Sequence, residues 1–371
     1  MSRFFISAGE TSGDLHAATV VAELKLRFPD ADIAGIAGQQ MQLQGCRPLH
    51  HMHELNVMGI TDVLRSLPRI RGIEKSVLGW CAEQRPDVAV LVDFSSFHMR
   101  LGRKLRELGI PVVHFIAPKL WAWGSHRVRK LKQSQDRLAC ILPFEADWFK
   151  SRGIAHAEYV GNPSAAAELK QRLGIDENQP LLALLPGSRP QEIRAHVPVL
   201  VETLQQIQQQ MPDIACVVPL APGVKMDALE PLWQQGAQAI QRMDKAYALR
   251  ADAAVAVSGT ATLELALWDT PTVLIYKASP LMMFLARRLV KLNCAGLANI
   301  VLGDKEVIPE LLQEDVNVDK ILTHLIPLIR NGAAADIQHQ EFARLWDLLG
   351  HQQPSTGVVD MVADLLESVA K

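Results

Sequence analysis

The chain has 371 residues, 49% of them hydrophobic and 21% charged, which describes a globular protein longer than one usual core and predicts two domains. A net charge of −2 gives no global electrostatic case for nucleic acid. The five cysteines, Cys46, Cys81, Cys140, Cys216 and Cys294, are scattered with no C-x-x-C pair, which predicts reduced core residues in a cytoplasmic protein and no zinc.

Met1, Ser2 and Arg3 lead straight into a strand, leaving no room for a signal peptide. No uncharged apolar run approaches the ~18–20 residues needed to span a bilayer, so any membrane contact is expected to be peripheral. Apolar runs alternate with amphipathic stretches, the pattern of buried parallel strands and covering helices. In the first half strands are predicted at 4–7, 33–37, 88–92, 112–116 and 138–142, with helices at 15–27, 63–81, 99–108 and 127–133. A second series has strands at 181–185, 214–219, 253–257 and 272–275, and from Val307 onward the chain reads as helical, ending in 358–369. Gly161-Asn162-Pro163 and Asp176-Glu177-Asn178 are turn material between the series. The expected fold is α/β: two Rossmann-like doubly wound domains facing a cleft, with C-terminal helices. Its boundaries are 1–163, a linker at 164–180, 181–350, and a terminal helix at 351–371.

Ligands in such sheets sit at the carboxyl ends of strands, so the turns there carry the chemistry. The first strand runs into Gly9, Glu10, Thr11, Ser12, Gly13 and Asp14 without G-x-G-x-x-G. This is either a helix cap or a close-approach loop whose acids meet sugar hydroxyls or an acceptor. Asp93 follows the strand at 88–92, where a general base for a hydroxyl nucleophile would stand, or else an N-cap. Trp121 and Trp123 lie on a loop after a strand, too exposed in setting for simple core; a sugar platform, an acyl-chain contact or a domain-closure contact all fit.

In the second half, Pro186, Gly187, Ser188 and Arg189 form a strand-to-helix turn in which Ser188 caps and Arg189 offers a cation for phosphate. Ser258, Gly259 and Thr260 open another helix with free amides and hydroxyls, and Glu264 lies one turn further in, able to hold a ribose. A nucleotide diphosphate is the natural occupant. Asn299 lies in a turn-like segment after the basic stretch 280–291. The basic amphipathic stretch 280–291 and the helix from Val63 to Trp80, with Arg65, Arg69, Arg71 and Lys75, are candidates for an anionic membrane surface or for core packing. Asp30-Ala31-Asp32 matches a metal-binding D-x-D but sits at the amino edge of the sheet, where turn chemistry explains it; no metal or cofactor is expected.

Taken together, Ala8-Gly-Glu-Thr-Ser-Gly-Asp14, Val57-Met-Gly-Ile60, Trp121-Ala-Trp123, Leu142-Pro-Phe-Glu145, Leu184-Leu-Pro-Gly-Ser-Arg189, Ser258-Gly-Thr-Ala-Thr-Leu-Glu264, Asn299 and Glu310-Leu-Leu-Gln-Glu314 resemble, in order, the lipid-A-disaccharide synthase family. The resemblance covers nearly the whole chain. It implies an inverting, metal-independent glycosyltransferase that joins UDP-2,3-diacylglucosamine to 2,3-diacylglucosamine 1-phosphate through a β-1,6 link and releases UDP. It also implies work at the cytoplasmic face of the inner membrane, with peripheral attachment, and a terminal helix at 351–371 that packs back on the first domain.

By the same resemblance Asp93 is the catalytic base, Arg189 and the amides near Ser188, Ser258, Gly259 and Thr260 hold the diphosphate, and Glu264 holds the ribose. Glu10 and Asn299 match positions near the sugar or acceptor. Three departures stand out. The family's small-Pro-acid-Phe-Asn after the aspartate is Phe94-Ser95-Ser96-Phe97-His98, its Gly-His-Pro is Gly161-Asn162-Pro163, and the Ser before the Trp loop is Lys119-Leu120. The rival readings are a UDP-N-acetylglucosamine 2-epimerase-like enzyme, separated by acceptor dependence, and a non-catalytic binding protein. An NAD-dependent oxidoreductase is disfavoured by the missing glycine fingerprint.

Overall fold

A computed structural model describes residues 2–55, 60–165, 179–220, 224–241, 251–278, 292–350 and 352–369. The motif at 57–59, the basic stretch 280–291 and most of the predicted linker lie outside them. The chain divides into two compact units, one of Met1–Pro163 with His351–Lys371 and one of Ser164–Gly350.

The first unit is built on seven strands: β1 (Arg3–Ala8), β2 (Asp32–Ala37), β3 (Arg47–His51), β4 (Val88–Val92), β5 (Val112–Phe115), β6 (Arg137–Cys140) and β7 (Ala157–Tyr159). They line up as β3-β2-β1-β4-β5-β6-β7, all parallel. The second unit has β8 (Leu181–Leu185), β9 (Ala215–Leu220), β10 (Gln238–Gln241), β11 (Ala253–Val257), β12 (Thr272–Tyr276) and β13 (Glu310–Leu312). Their order is β10-β9-β8-β11-β12-β13, again all parallel. Each sheet therefore reverses direction at its first strand, β1 or β8. In doubly wound sheets that reversal opens the crevice where ligands bind.

The central strands are apolar because both faces are covered. All of β4 and β11 is buried. Phe4, Ile6 and Val90 share a core with Val20 and Leu24 of the helix Thr11–Arg27. Val358, Val359, Met361, Val362 and Leu365 of the last helix, Pro354–Val369, enter the same core. There Gly357 has no room for a Cβ, which would lie 2.9 Å from that of Val160. In the second unit the helices Pro190–Gln210 and Val318–Ile329 bring Leu200, Leu204, Ile321 and Leu325 to one core with Leu184, Val255 and Ile275.

The structure corrects several expectations at the sheet edges. The chain after Val307 is not wholly helical, because residues 310–312 form β13 beside β12. That strand is three residues long, too short for a periodic pattern to show. Strands β3, β7 and β10 are edge or near-edge strands with polar residues (Arg47, His51, Glu158, Gln238, Gln241) that blunt them. The helix predicted from Leu15 begins at Thr11, and the one predicted from Met99 begins at Ser95. Asp32 pairs with Arg3 and Arg47 at the amino end of β2. In the helix Ile60–Gln84, Ile73, Val77 and Cys81 face the sheet while Arg69, Arg71 and Lys75 are exposed.

Candidate active site

Register places the first cluster. β1 and β4 pair in parallel with Ala8 opposite Val92, so Gly9-Glu10 and Asp93 leave the sheet side by side. Glu10 is the extended residue that precedes the helix Thr11–Arg27, and its carboxyl is hydrogen-bonded to that of Asp93. A hydrogen bond between two carboxyl groups requires one proton between them. Burial pushes the Asp93 carboxyl above its usual range, partly offset by the Glu10 bond, the Phe94 N–H and the cation of Lys119. A half-buried carboxylate of raised basicity is what proton abstraction from a hydroxyl asks for.

The turn that presents Asp93 is strained. Asp93 and Phe94 both lie in the left-handed region, at φ 52° and 45°, uncommon for residues with side chains. The Asp93 N–H is tied to the Phe115 carbonyl of β5 at 2.9 Å. Gly9 opposite must be glycine, since a Cβ would stand 2.3 Å from Phe94 Cγ. Below lie two buried histidines. His98 bonds the Asp93 carbonyl and Ser7. His114 on β5 meets His98 edge-on at 6.4 Å, and neither of its ring nitrogens has a hydrogen-bond partner among the described residues. Burial lowers His98 to about 4 and His114 to about 3, so both are neutral at physiological pH.

Asp14 does not join this cluster. It is buried and accepts from the N–H groups of Gly38, Gln40 and Met41 at 2.9, 2.9 and 3.2 Å, so it anchors the turn after β2.

The two tryptophans have different settings. The Trp121 indole donates to Glu145 Oε1 at 2.8 Å and packs edge-on against Phe144, whereas Trp123 is 57% exposed. Glu145 also takes the N–H groups of Ile141 and Leu142 at 3.2 and 3.1 Å. Burial raises its carboxyl to about 7. Asn162, where the family pattern has histidine, is buried and donates to the Ile141 carbonyl at 2.9 Å.

In the second unit β8 and β11 are neighbours with Leu185 opposite Ala256, which brings the turn 186–189 beside the turn 258–260. Gly187 is at φ 101°, and a Cβ there would lie 2.7 Å from that of Glu192, so the turn admits only glycine. Ser188 does not cap the helix Pro190–Gln210 by its side chain, which corrects the sequence reading. Glu192 caps it instead, accepting from the N–H groups of Ser188 and Arg189 at 3.1 and 3.2 Å. Its other oxygen takes the Arg189 guanidinium at 3.0 Å. The Arg189 side chain is nevertheless 79% exposed. Glu192 was legible from its spacing three residues after the cap.

Gly259 precedes the helix Thr260–Leu267, whose first turn has no side-chain cap among the described residues. Gly259 and Thr260 are exposed and Ser258 half-buried, so the positive end of this helix faces outward, as an anion site requires. Ser258 Oγ donates to the Ala295 carbonyl at 3.1 Å. Glu264 is half-buried one turn along the same helix.

Asn299, in contrast, is fully buried. Its amide nitrogen donates to Ile308 O and Glu310 Oε1, and its oxygen accepts from Val307 N and Ile308 N, all at 2.8–3.0 Å. Those four bonds fill the amide's ordinary capacity, so Asn299 shapes the surroundings of Glu310. That carboxylate in turn holds the N–H groups of Ala295 and Gly296. His196, also unassigned in the sequence, bridges the Glu192 carbonyl and the Lys277 N–H, tying the helix to the end of β12.

Two carboxyls meet at one switch point, and a cation with an open helix end meets at the other. The sequence model for lipid-A-disaccharide synthetase matches residues 4–356. The lipid-A-disaccharide synthase of Myxococcus xanthus is 38% identical, the alignment covering 98% of this chain and 97% of that protein. Among solved structures, the UDP-GlcNAc 2-epimerase of Neisseria meningitidis shares the fold with a TM-score of 0.66 at 12% identity, covering 98% of this chain and all of that one. The calicheamicin glycosyltransferase does so with a TM-score of 0.62 at 15% identity over the whole of both chains. Family match and sequence identity, together with two Rossmann-like sheets, establish that the chain belongs to the lipid-A-disaccharide synthetase family.

Proposed function

We propose that the protein transfers the sugar of UDP-2,3-diacylglucosamine to the 6-hydroxyl of 2,3-diacylglucosamine 1-phosphate, with inversion, releasing UDP. Asp93 takes the proton of the attacking hydroxyl as the anomeric carbon passes through an oxocarbenium-like transition state. The observation that carries this reading is the register that sets Asp93 against Glu10 at the ends of β4 and β1. Glu10 shares the proton and orients the acceptor. Negative charge developing on the departing diphosphate is met by Arg189, exchanging Glu192 for phosphate oxygens, and by the N–H groups at Ser258, Gly259 and Thr260. The turn at Ser188 lets the chain approach the diphosphate, Glu264 holds the ribose, and Asn299 acts through the Gly296–Glu310 arrangement.

These cationic and backbone groups perform the charge neutralisation, so no metal enters the scheme. The exposed Arg69, Arg71 and Lys75 support peripheral contact with an anionic membrane at the inner membrane's cytoplasmic face, where acylated substrates reside.

The test is UDP release from the donor in detergent with EDTA, with and without acceptor, for the wild type and Asp93→Asn. Acceptor-dependent release, reduced about 10³-fold by the substitution, is expected. Release without acceptor would instead indicate an epimerase-like or hydrolytic enzyme, and undiminished release by Asp93→Asn would remove Asp93 from the role of base.

A further inference from the structure

Two consecutive residues with side chains hold left-handed backbone in the turn that bears Asp93. Residues with side chains keep this conformation only where their surroundings over-determine it. The buried side chain bonded to the carbonyl of this turn is His98, one turn into the helix Ser95–Glu107. Its Nδ1 lies 2.6 Å from the Asp93 carbonyl oxygen and its Nε2 2.9 Å from Ser7 Oγ. A carbonyl only accepts, so Nδ1 carries the hydrogen. The ring is neutral, so Nε2 accepts from the Ser7 hydroxyl.

The bonds thus run one way, from Ser7 on β1 through the imidazole to the backbone of Asp93. Ser7 is itself fixed in register opposite Leu91 of β4. The ring is walled by Phe94 at 6.0 Å, Phe97 at 5.6 Å and His114 at 6.4 Å. It therefore has little freedom except the orientation that serves the Asp93 carbonyl.

We propose that His98 is a positioning residue for glycosyl transfer: by holding the Asp93 carbonyl it fixes the left-handed turn that sets the Asp93 carboxyl beside Glu10. This rests on Asp93 being the base. It assigns the imidazole no contact with substrate.

The imidazole's two nitrogens can be replaced separately. Asparagine puts an amide N–H where Nδ1 stands, and glutamine reaches the place of Nε2 instead. We would measure kcat, acceptor KM, UDP affinity and thermal unfolding for His98→Asn, His98→Gln, Ser7→Ala and Asp93→Asn. His98→Gln is expected to lose about 100-fold in kcat, the scale of a misplaced catalytic group. Acceptor KM and UDP affinity should stay within about threefold, the signature of a loss confined to the transition state. His98→Asn should recover most of that rate. Ser7→Ala, which only unhitches the far end of the ring, should lose about tenfold in kcat as orientation is relaxed; it also supplies the test if the glutamine variant fails to fold, an unchanged kcat then counting against the proposal.

Wild-type kcat in His98→Gln, or equal losses in the asparagine and glutamine variants, would overturn the inference while an inactive Asp93→Asn kept the base in place. A fully active Asp93→Asn would overturn the base reading itself, and the inference with it.

Discussion

The two units repeat one frame with opposite electrostatic sign. β1 and β8 occupy the same place in their sheets, as do β4 and β11. In the first unit the turns after these strands press two carboxyls together above buried neutral histidines. In the second they offer an exposed guanidinium and a helix end that is uncapped among the described residues. The fold supplies the place, and the residues at it decide what is done there. Taking a proton from a hydroxyl calls for a carboxylate partly withdrawn from water. Holding a departing diphosphate calls for cations and N–H groups that a ligand can reach.

This contrast can be broken most sharply at Arg189. Arg189→Ala should lower kcat by on the order of 10²- to 10³-fold and weaken UDP binding in calorimetry, with Arg189→Lys restoring only part because the ammonium lacks the planar fork. Wild-type UDP affinity in Arg189→Ala would place the positive sign of the second unit elsewhere.

Withdrawal from water in the first unit has a measurable signature at Glu145. Its carboxyl ionises near 7 in the folded protein against 4.5 for the free group, chiefly through burial. The unfolded chain therefore loses this proton first, and the contribution of Glu145 to stability falls as pH rises from about 4.5 to about 7, then levels. The drop is about 3 kcal/mol, and Glu145→Gln should remove it. Thermal unfolding of both forms at pH 5 and pH 7.5 checks this; parallel curves would mean that the carboxyl is ionised in the folded state throughout.

The smallest expected effect concerns the close approach of the two turns. Gly9→Ala drives a methyl into Phe94 and should cost about 2 kcal/mol of stability. It should lower kcat while leaving UDP affinity alone. A silent Gly9→Ala would mean that Phe94, and Asp93 with it, is not held against Gly9.

Much of this was legible in the sequence because buried parallel strands are written as apolar runs. β4, β8, β11 and β12 were placed that way, and the positions just beyond them pointed to Asp93, Arg189 and Thr260. Edge strands escaped for the converse reason: Gln238–Gln241 and Glu310–Leu312 are short, with polar residues and no period to detect. The site was less legible where a residue acts through the protein. Asn299 looked like a sugar contact, but only tertiary structure shows its amide filled by four internal bonds. Glu192 and Glu145 sit at capping spacing, a local signal, yet what they hold is set by the turn geometry. The sequence could not show that His98 reaches both Ser7 and Asp93, because the connection runs through strand register.

The helix Pro354–Val369 has a consequence for the order in which the molecule is made. Residues 1–163 leave the ribosome first, yet the part of their core covered by Val358, Val359, Met361, Val362 and Leu365 stays open until the whole of 164–350 has been synthesised. The second unit, an uninterrupted stretch, can close as soon as it emerges, contrary to the usual N-terminal-first sequence of folding during synthesis. The half of the protein that is translated first is the half that is completed last.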